Sequence, residues 1–277
     1  RITHQQDALQ LARCDAKCWT LQKGTKAECV SRCLSSQQKA GWCARAGELS
    51  AWDAACVRAC ERDSGCPGVL KCCQHDCGAT CQLPRGLHEV QGLPGIPQNV
   101  TVGERRRGRA IRVRWSFNSA LETTPLLFIL EERHHVGRRF AESRLGEWTP
   151  RQRSQRSDIS LKNVVKPGRW YQFRVAAINE NGTRGFSRPS APFTTSHGPR
   201  PPNSPRELAV DALRYSNGSL GGTLRWKAPI SSDLPVHKYK VFWSRRLQGV
   251  DQDLDSVLVH HHTVGKDQTM FDIKDLQ

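Results

Sequence analysis

The chain has 277 residues, with 42 Lys and Arg against 26 Asp and Glu (formal net charge +16), twelve Cys and 37% hydrophobic residues. At about 100–200 residues per domain this allows two or three domains. The longest apolar run, Pro125 to Leu130, falls far short of the roughly 20 residues that span a bilayer. Periodic apolar residues and Gly without a three-residue repeat exclude wholesale disorder and collagen. The chain begins at Arg1 with no basic-apolar leader, the pattern of a mature chain or a fragment.

All twelve cysteines lie between Cys14 and Cys81, and the 196 residues after them contain none. That density exceeds the roughly 8–10% typical of a disulfide scaffold, and so small a region needs covalent staples in place of a large core. A zinc site would favour CxxC spacing, which is absent; Cx3C pairs and the adjacent Cys72-Cys73 suit bridges. Disulfides, no metal and no cofactor are therefore expected, in an oxidising compartment outside the cell or in the secretory route. The sequons at Asn99, Asn181 and Asn217 are glycosylation candidates in keeping with that compartment.

In chain order, residues 7–36 read as two short helices. Asp7 can cap the first, Leu11, Cys14 and Cys18 follow at spacings of three and four, and Gly24-Thr25 is expected to break it. Cys29 and Cys33 then stand one turn apart on the second helix. Four cysteines allow three connectivities; two facing Cx3C pairs favour Cys14–Cys33 with Cys18–Cys29. Residues 43–81 hold the other eight Cys and few hydrophobics, and a Pro/Gly-rich stretch follows up to Pro97.

Residues 98–196 alternate like an all-β sandwich. Ile111, Val113 and Trp115 share one face, Arg112 and Arg114 the other. Leu126 to Leu130 is a fuller apolar strand, Tyr171, Phe173, Val175 and Ala177 share a face, and Phe186 to Thr195 reads as a last strand. After a Pro-rich stretch from Gly198 to Pro205 the pattern repeats, with Trp226 matching Trp115 and Tyr239 to Trp243 matching the third strand. Nothing after Gln277 corresponds to Tyr171 through Thr195, so the second sandwich is expected to lack its last two strands.

Two motifs are specific. Cys66-Pro-Gly-Val-Leu-Lys-Cys-Cys-Gln-His-Asp-Cys-Gly-Ala-Thr-Cys81 resembles the whey acidic protein four-disulfide core. That resemblance implies Cys43–Cys73, Cys56–Cys77, Cys60–Cys72 and Cys66–Cys81. Pro167-Gly-Arg-Trp-Tyr-Gln-Phe-Arg-Val-Ala-Ala-Ile-Asn179 with Gly182 resembles the fibronectin type III pattern, with Trp115 as core Trp and Tyr171 as corner tyrosine. The order of modules, with the run Val236-His-Lys-Tyr-Lys-Val-Phe-Trp-Ser, resembles the anosmin family of extracellular matrix glycoproteins. The segment before Cys43 is shorter and poorer in Cys than that family leads one to expect. The expected division is a Cys-rich helical hairpin (1–42), a four-disulfide core (43–84), a linker (85–97), a type III sandwich (98–197), a linker (198–205) and an incomplete type III sandwich (206–277). The fold class is thus disulfide-rich modules followed by all-β sandwiches. The resemblance implies heparan sulfate binding, cell adhesion, neuronal migration, axon growth and modulation of fibroblast growth factor receptor signalling.

Charge points to the site. Residues 82–198 carry 20 basic side chains, 18 of them Arg, against 9 acidic ones. Arg pairs bidentately with oxyanions, so a polyanion is the expected partner. Outside the cell that means sulfated glycosaminoglycan rather than nucleic acid. The candidates are Arg105, Arg106, Arg107 and Arg109 in a loop, Arg112 and Arg114 on a strand, and Lys162 on its neighbour with Arg156 of the same parity. Arg138, Arg139, Arg144, Arg151 and Arg153 lie in nearby loops or the edge strand. A solvated Arg face is the plainer alternative. A second reading is a serine protease inhibitor working through Val57 and Arg58. Against it, only three residues separate Cys56 from Cys60, and Ala44 replaces the usual Pro after Cys43. His260, His261 and His262 read as an exposed connection rather than a metal site, and Trp148 and Trp170 as packing side chains. No activated nucleophile, phosphate loop or supported carboxylate pair is present, so an enzyme is not expected.

Overall fold

The computed structural model describes residues 8–35, 38–48, 50, 53, 55–105, 110–118, 125–216, 218–230, 233–244, 259–274 and 276. The chain forms two compact units. The first comprises 1–165 with 169–196, and the second 166–168 with 197–277.

The first unit opens with helices α1 (Ala8–Lys17) and α2 (Lys23–Ser35). The break between them falls at residues 18–22, not at Gly24-Thr25 as expected. Gly24 and Thr25 sit in the first turn of α2, where backbone N–H groups have no intrahelical acceptor and poor helix formers cost little. Thr25 instead donates its hydroxyl to the carbonyl of Gln22 at 3.1 Å. Asp7 lies outside the described residues. Cys14–Cys33 and Cys18–Cys29 join the helices, with Cα–Cα distances of 5.7 and 6.0 Å.

The next module is a hairpin of β1 (Lys71–His75) and β2 (Gly78–Gln82), bridged by Cys43–Cys73, Cys56–Cys77, Cys60–Cys72 and Cys66–Cys81. Its interior is largely sulfur: Cys60, Cys66 and Ala79 are buried, with Leu70, Cys72 and Cys81 packed against them. Asp63 ties it together, accepting from the backbone N–H of Lys39 (2.6 Å), the backbone N–H of Cys72 (2.8 Å) and Lys71 Nζ (2.9 Å). Burial alone would raise the Asp63 carboxyl pKa. These hydrogen bonds and the Lys71 charge outweigh burial and hold the pKa below the usual value. Lys39 Nζ in turn donates to the carbonyls of Cys66, Gly68 and Leu70 at 2.6 to 2.8 Å.

Residues 85–97, expected to be a linker, are packed. Arg85 bridges to Trp42, and Leu93, Pro94 and Pro97 are buried. A Cβ on Gly86 would lie 1.8 Å from the Trp42 ring, and φ there is +65°, so only glycine fits.

The first sandwich has β3 (Gln98–Glu104), β4 (Ala110–Ser116) and β7 (Asp158–Lys162) in one sheet, ordered β3-β4-β7. The other, ordered β6-β5-β8, holds β5 (Leu127–Val136), β6 (Thr149–Ser154) and β8 (Arg169–Ile178). Ile111, Val113, Trp115, Phe128, Leu130, Ile159, Leu161, Tyr171, Phe173 and Val175 fill the space between them. Leu127, Ile129, Ala176 and Ile178 point the other way, and Leu9, Ala12 and Ala16 of α1 cover them. This double burial explains why Leu126 to Leu130 is apolar throughout. Arg13 braces the contact, donating to the carbonyls of Glu180 (3.0 Å) and Gln38 (2.5 Å), and burial lowers its pKa.

Phe186 to Thr195 follows β8 but is not a continuous strand. It touches β8 through the separate bridges Phe186–Ala176 and Phe193–Tyr171. Pro189 and Pro192 have no N–H to give a ladder. Ser187 and Ser190 substitute, their hydroxyls accepting from the N–H groups of Val175 (3.0 Å) and Phe173 (3.2 Å).

The second unit contains a sheet ordered β13-β10-β9 and a two-stranded sheet β11-β12. The strands are β9 (Arg206–Ser216), β10 (Ser219–Lys227), β11 (Lys238–Ser244), β12 (Val259–Gly265) and β13 (Met270–Ile273). Trp226, Tyr239, Val241, Val264 and Ile273 form its core, with Trp226 and Tyr239 edge-on at 5.4 Å.

Candidate polyanion-binding face

Strand β4 builds the site by simple alternation. With Ile111, Val113 and Trp115 buried, Arg112, Arg114 and Ser116 are turned to the outer face of the β3-β4-β7 sheet. In register, Arg112 stands between Gly103 and Ser160, Arg114 between Thr101 and Asp158, and Ala110 opposite Lys162. The N–H of Arg105 donates to Ala110 at 2.9 Å and closes the β3–β4 hairpin. Arg105, Arg114 and Lys162 are exposed. Among the described residues no carboxylate pairs with any of them. Arg112 is different: its Nε and Nη2 both lie 2.8 Å from Asp158 Oδ2. Arg106, Arg107 and Arg109 lie outside the described residues.

The remaining candidate cations do not join this row. Arg151 and Arg153 are on β6, in the opposite sheet, and both are neutralised: Arg151 by the buried Glu132 at 2.5 Å, Arg153 by Asp15 of α1. Arg138, Arg139 and Arg144 are exposed in the connection between β5 and β6. Arg156 lies in the bend at 155–157, before β7 begins, so parity with Lys162 has no strand along which to run. Trp148 is a packing side chain. The guanidinium groups of Arg133 and Arg174 lie 4.6 and 4.3 Å from its ring centre, and Arg174 also forks onto Glu131 Oε2 at 2.9 and 2.7 Å. Trp170 meets Phe140 edge-on.

Val57 and Arg58 do not form a free-standing loop. Val57 accepts from Ala79 N–H at 2.9 Å, Ala59 donates to the carbonyl of Ala79 at 2.8 Å, and Arg58 bridges to Ala79. A Cβ on Gly78 would lie 2.4 Å from the Val57 oxygen, so the segment lies flat on β2. His260, His261 and His262 lie on β12 against Trp243, Phe242 and Phe271. Among the described residues the one cluster with metal-ligand spacing is Cys60, Cys66 and Cys81, all in disulfides. Asn99 and Asn181 are exposed, and Asn217 lies outside the described residues.

Sequence reasoning missed the anions that divide the cations into paired and unpaired sets. Asp158 could have been found, since it shares parity with Ser160 and Lys162. Asp15 could not, because it meets Arg153 across 138 residues of chain.

Residues 39–84 match the family model of the WAP-type (Whey Acidic Protein) 'four-disulfide core'. Anosmin-1 of Homo sapiens is 34% identical over 241 residues, which is 85% of this chain and 35% of that protein. Anosmin-1 of Gallus gallus is 35% identical over 243 residues, with the same coverage. The chain therefore spans about a third of the length of these curated relatives. Among solved structures, the chicken CNTN1 FN1–FN3 domains cover 68% of this chain and 60% of their own at 17% identity and a TM-score of 0.30. The chain is thus similar to anosmin-1 over 85% of its length. No described helix is long and apolar enough to cross a membrane.

Proposed function

We propose that this chain is a non-enzymatic, extracellular adhesion protein that captures sulfated glycosaminoglycan, heparan sulfate above all, on the outer face of the β3-β4-β7 sheet. Similarity to anosmin-1 and six disulfides support the extracellular, adhesive part of this reading. The observation that carries the ligand is the row Arg105, Arg114 and Lys162, cations that share one sheet face with no paired carboxylate among the described residues. Single exposed ion pairs contribute roughly 0–1 kcal/mol, so capture depends on several acting together and weakens as salt shortens the screening length. Bound to cell-surface proteoglycan, the protein would be concentrated where its modules can meet a receptor. The fibroblast growth factor receptor and effects on cell migration and axon growth are the expectations carried by its resemblance to the anosmin family.

The test is heparin-column elution of the full chain against salt, with a cation exchanger alongside. Arg105→Glu/Arg114→Glu/Lys162→Glu is compared with Arg138→Glu/Arg139→Glu/Arg144→Glu, which makes the same change in net charge. Loss of heparin preference in the first variant alone supports the site. Equal loss in both would reduce the effect to net charge.

A further inference from the structure

We propose that Asn99 carries an N-linked oligosaccharide that gates access of polyanions to this face. The inference rests on the polyanion reading above. Three observations place the acceptor at the end of the cationic row. Asn99-Val100-Thr101 is a complete sequon, and Asn99 is exposed. Between the pairs Gln98–Ser116 and Thr101–Arg114, β3 spends two residues against the single Trp115, a β-bulge in which Asn99 has φ +52°. Val100 stays buried, while the Asn99 amide turns to the outer face and donates Nδ2–H to Ser116 Oγ at 3.0 Å.

Ser116, Arg114 and Arg112 follow one another on that face at intervals of about 7 Å. The acetamide is therefore one interval from Arg114 and two from Arg112. A branched oligosaccharide is bulky and mobile in solvent, and one rooted at Asn99, beside Ser116, sweeps the volume a sulfated chain must enter to lie along the row. The other described sequon has no such position, because Asn181 Nδ2 is turned to the carbonyl of Gly92 at 3.2 Å. Attachment uses a lipid-pyrophosphate-linked oligosaccharide as donor. The Nδ2–C1 bond forms, the C1–O bond to the lipid pyrophosphate breaks, and one Nδ2 proton is released. The second Nδ2 proton remains to donate to Ser116.

A plain structural role also accounts for this residue, since Asn tolerates a left-handed φ better than most side chains. The test separates the two by leaving Asn99 in place. The full chain is produced through the secretory route of animal cells as wild type, as Thr101→Val, which removes the hydroxyl the sequon requires, and as Thr101→Ser, which keeps it. Peptide mass mapping and heparin elution are read together. The expected result is a glycan on Asn99 in the wild type and Thr101→Ser but not in Thr101→Val. Thr101→Val should also elute from heparin at higher salt, with affinity raised about three- to ten-fold. An unmodified Asn99 in the wild type would overturn the proposal, leaving Asn99 as a bulge residue only. A modified Asn99 with unchanged heparin elution in Thr101→Val would overturn the gate. Arg105→Glu/Arg114→Glu/Lys162→Glu in the Thr101→Val background distinguishes the two readings. If heparin retention survives that change, the polyanion face itself fails. If retention is lost while wild type and Thr101→Val co-elute, only the gate fails.

Discussion

The two outer faces of the first sandwich have opposite fates. The β6-β5-β8 face is apolar at Leu127, Ile129, Ala176 and Ile178 and lies under α1. Four Arg side chains on that sheet, Arg133, Arg151, Arg153 and Arg174, are paired with Glu142, Glu132, Asp15 and Glu131, while Arg169 meets His134. The β3-β4-β7 face has no covering element among the described residues and keeps Arg105, Arg114 and Lys162 exposed. An excess of positive charge counted along a sequence therefore overstates what a ligand meets. The cations that matter are those left after the fold has used its own carboxylates.

The comparison breaks most severely at the covered face. Ile129→Asp places an unpaired carboxylate beneath α1 where Ile129 is 4% exposed, and a loss of about 3–5 kcal/mol is expected. Leu9→Ala should lose about 2–3 kcal/mol through the cavity it leaves. Calorimetric unfolding of the full chain measures both, and a change under about 1 kcal/mol in each would mean the helix is not docked.

Asp63 is next, since it holds the segment before Trp42 and its carbonyl lies 3.4 Å from Gln10 Nε2 of α1. Its folded pKa is depressed. Its contribution is therefore full above the unfolded value near 3.9 and is lost as pH falls through the lower, folded value. Asp63→Asn should cost about 2 kcal/mol at neutral pH and flatten the fall of the melting temperature below about pH 4. A parallel acid limb in variant and wild type would contradict this.

On the open face the effects are smaller and fall on affinity. The triple reversal at Arg105, Arg114 and Lys162 should weaken heparin binding about thirty-fold, or about 2 kcal/mol, with little change in melting temperature. Asp158→Asn releases Arg112 and should strengthen binding about three-fold by isothermal titration; a weakening would mean that Asp158 serves the site by orienting Arg112. Arg153→Ala, on the covered side, should change stability by less than about 1 kcal/mol, since its side chain is 59% exposed.

Period-two alternation was enough to write β4 and the Tyr171 to Ala177 face of β8, because each of those faces lies in a common core. It failed where a second layer exists. Leu127 and Ile129 look like core residues of a central strand, and nothing local says that a helix more than 100 residues upstream lies over them. That helix offers Leu9, Ala12 and Ala16, too slight an apolar stripe to announce a docking surface. The segment 85–97 reads as a linker from its Gly and Pro, and that composition does not announce its packing. Pro94 and Pro97 are buried, and Gly86 is there because Trp42 leaves no room for a Cβ. At the site, strand parity placed Arg112 and Arg114 but could not foresee which cations the fold would pair.

The broken segment beside β8 has a consequence for a protein held at high density. An exposed sheet edge offers a row of backbone groups to which another chain can add a strand, the usual start of ordered aggregation. Here that edge is closed by a run in which Pro189 and Pro192 offer no donor and Ser187 and Ser190 hold their hydroxyls on β8. If copies are captured side by side on one polysaccharide chain, as proposed above, they touch at this border without knitting into a shared sheet, and crowding does not become fibrillisation.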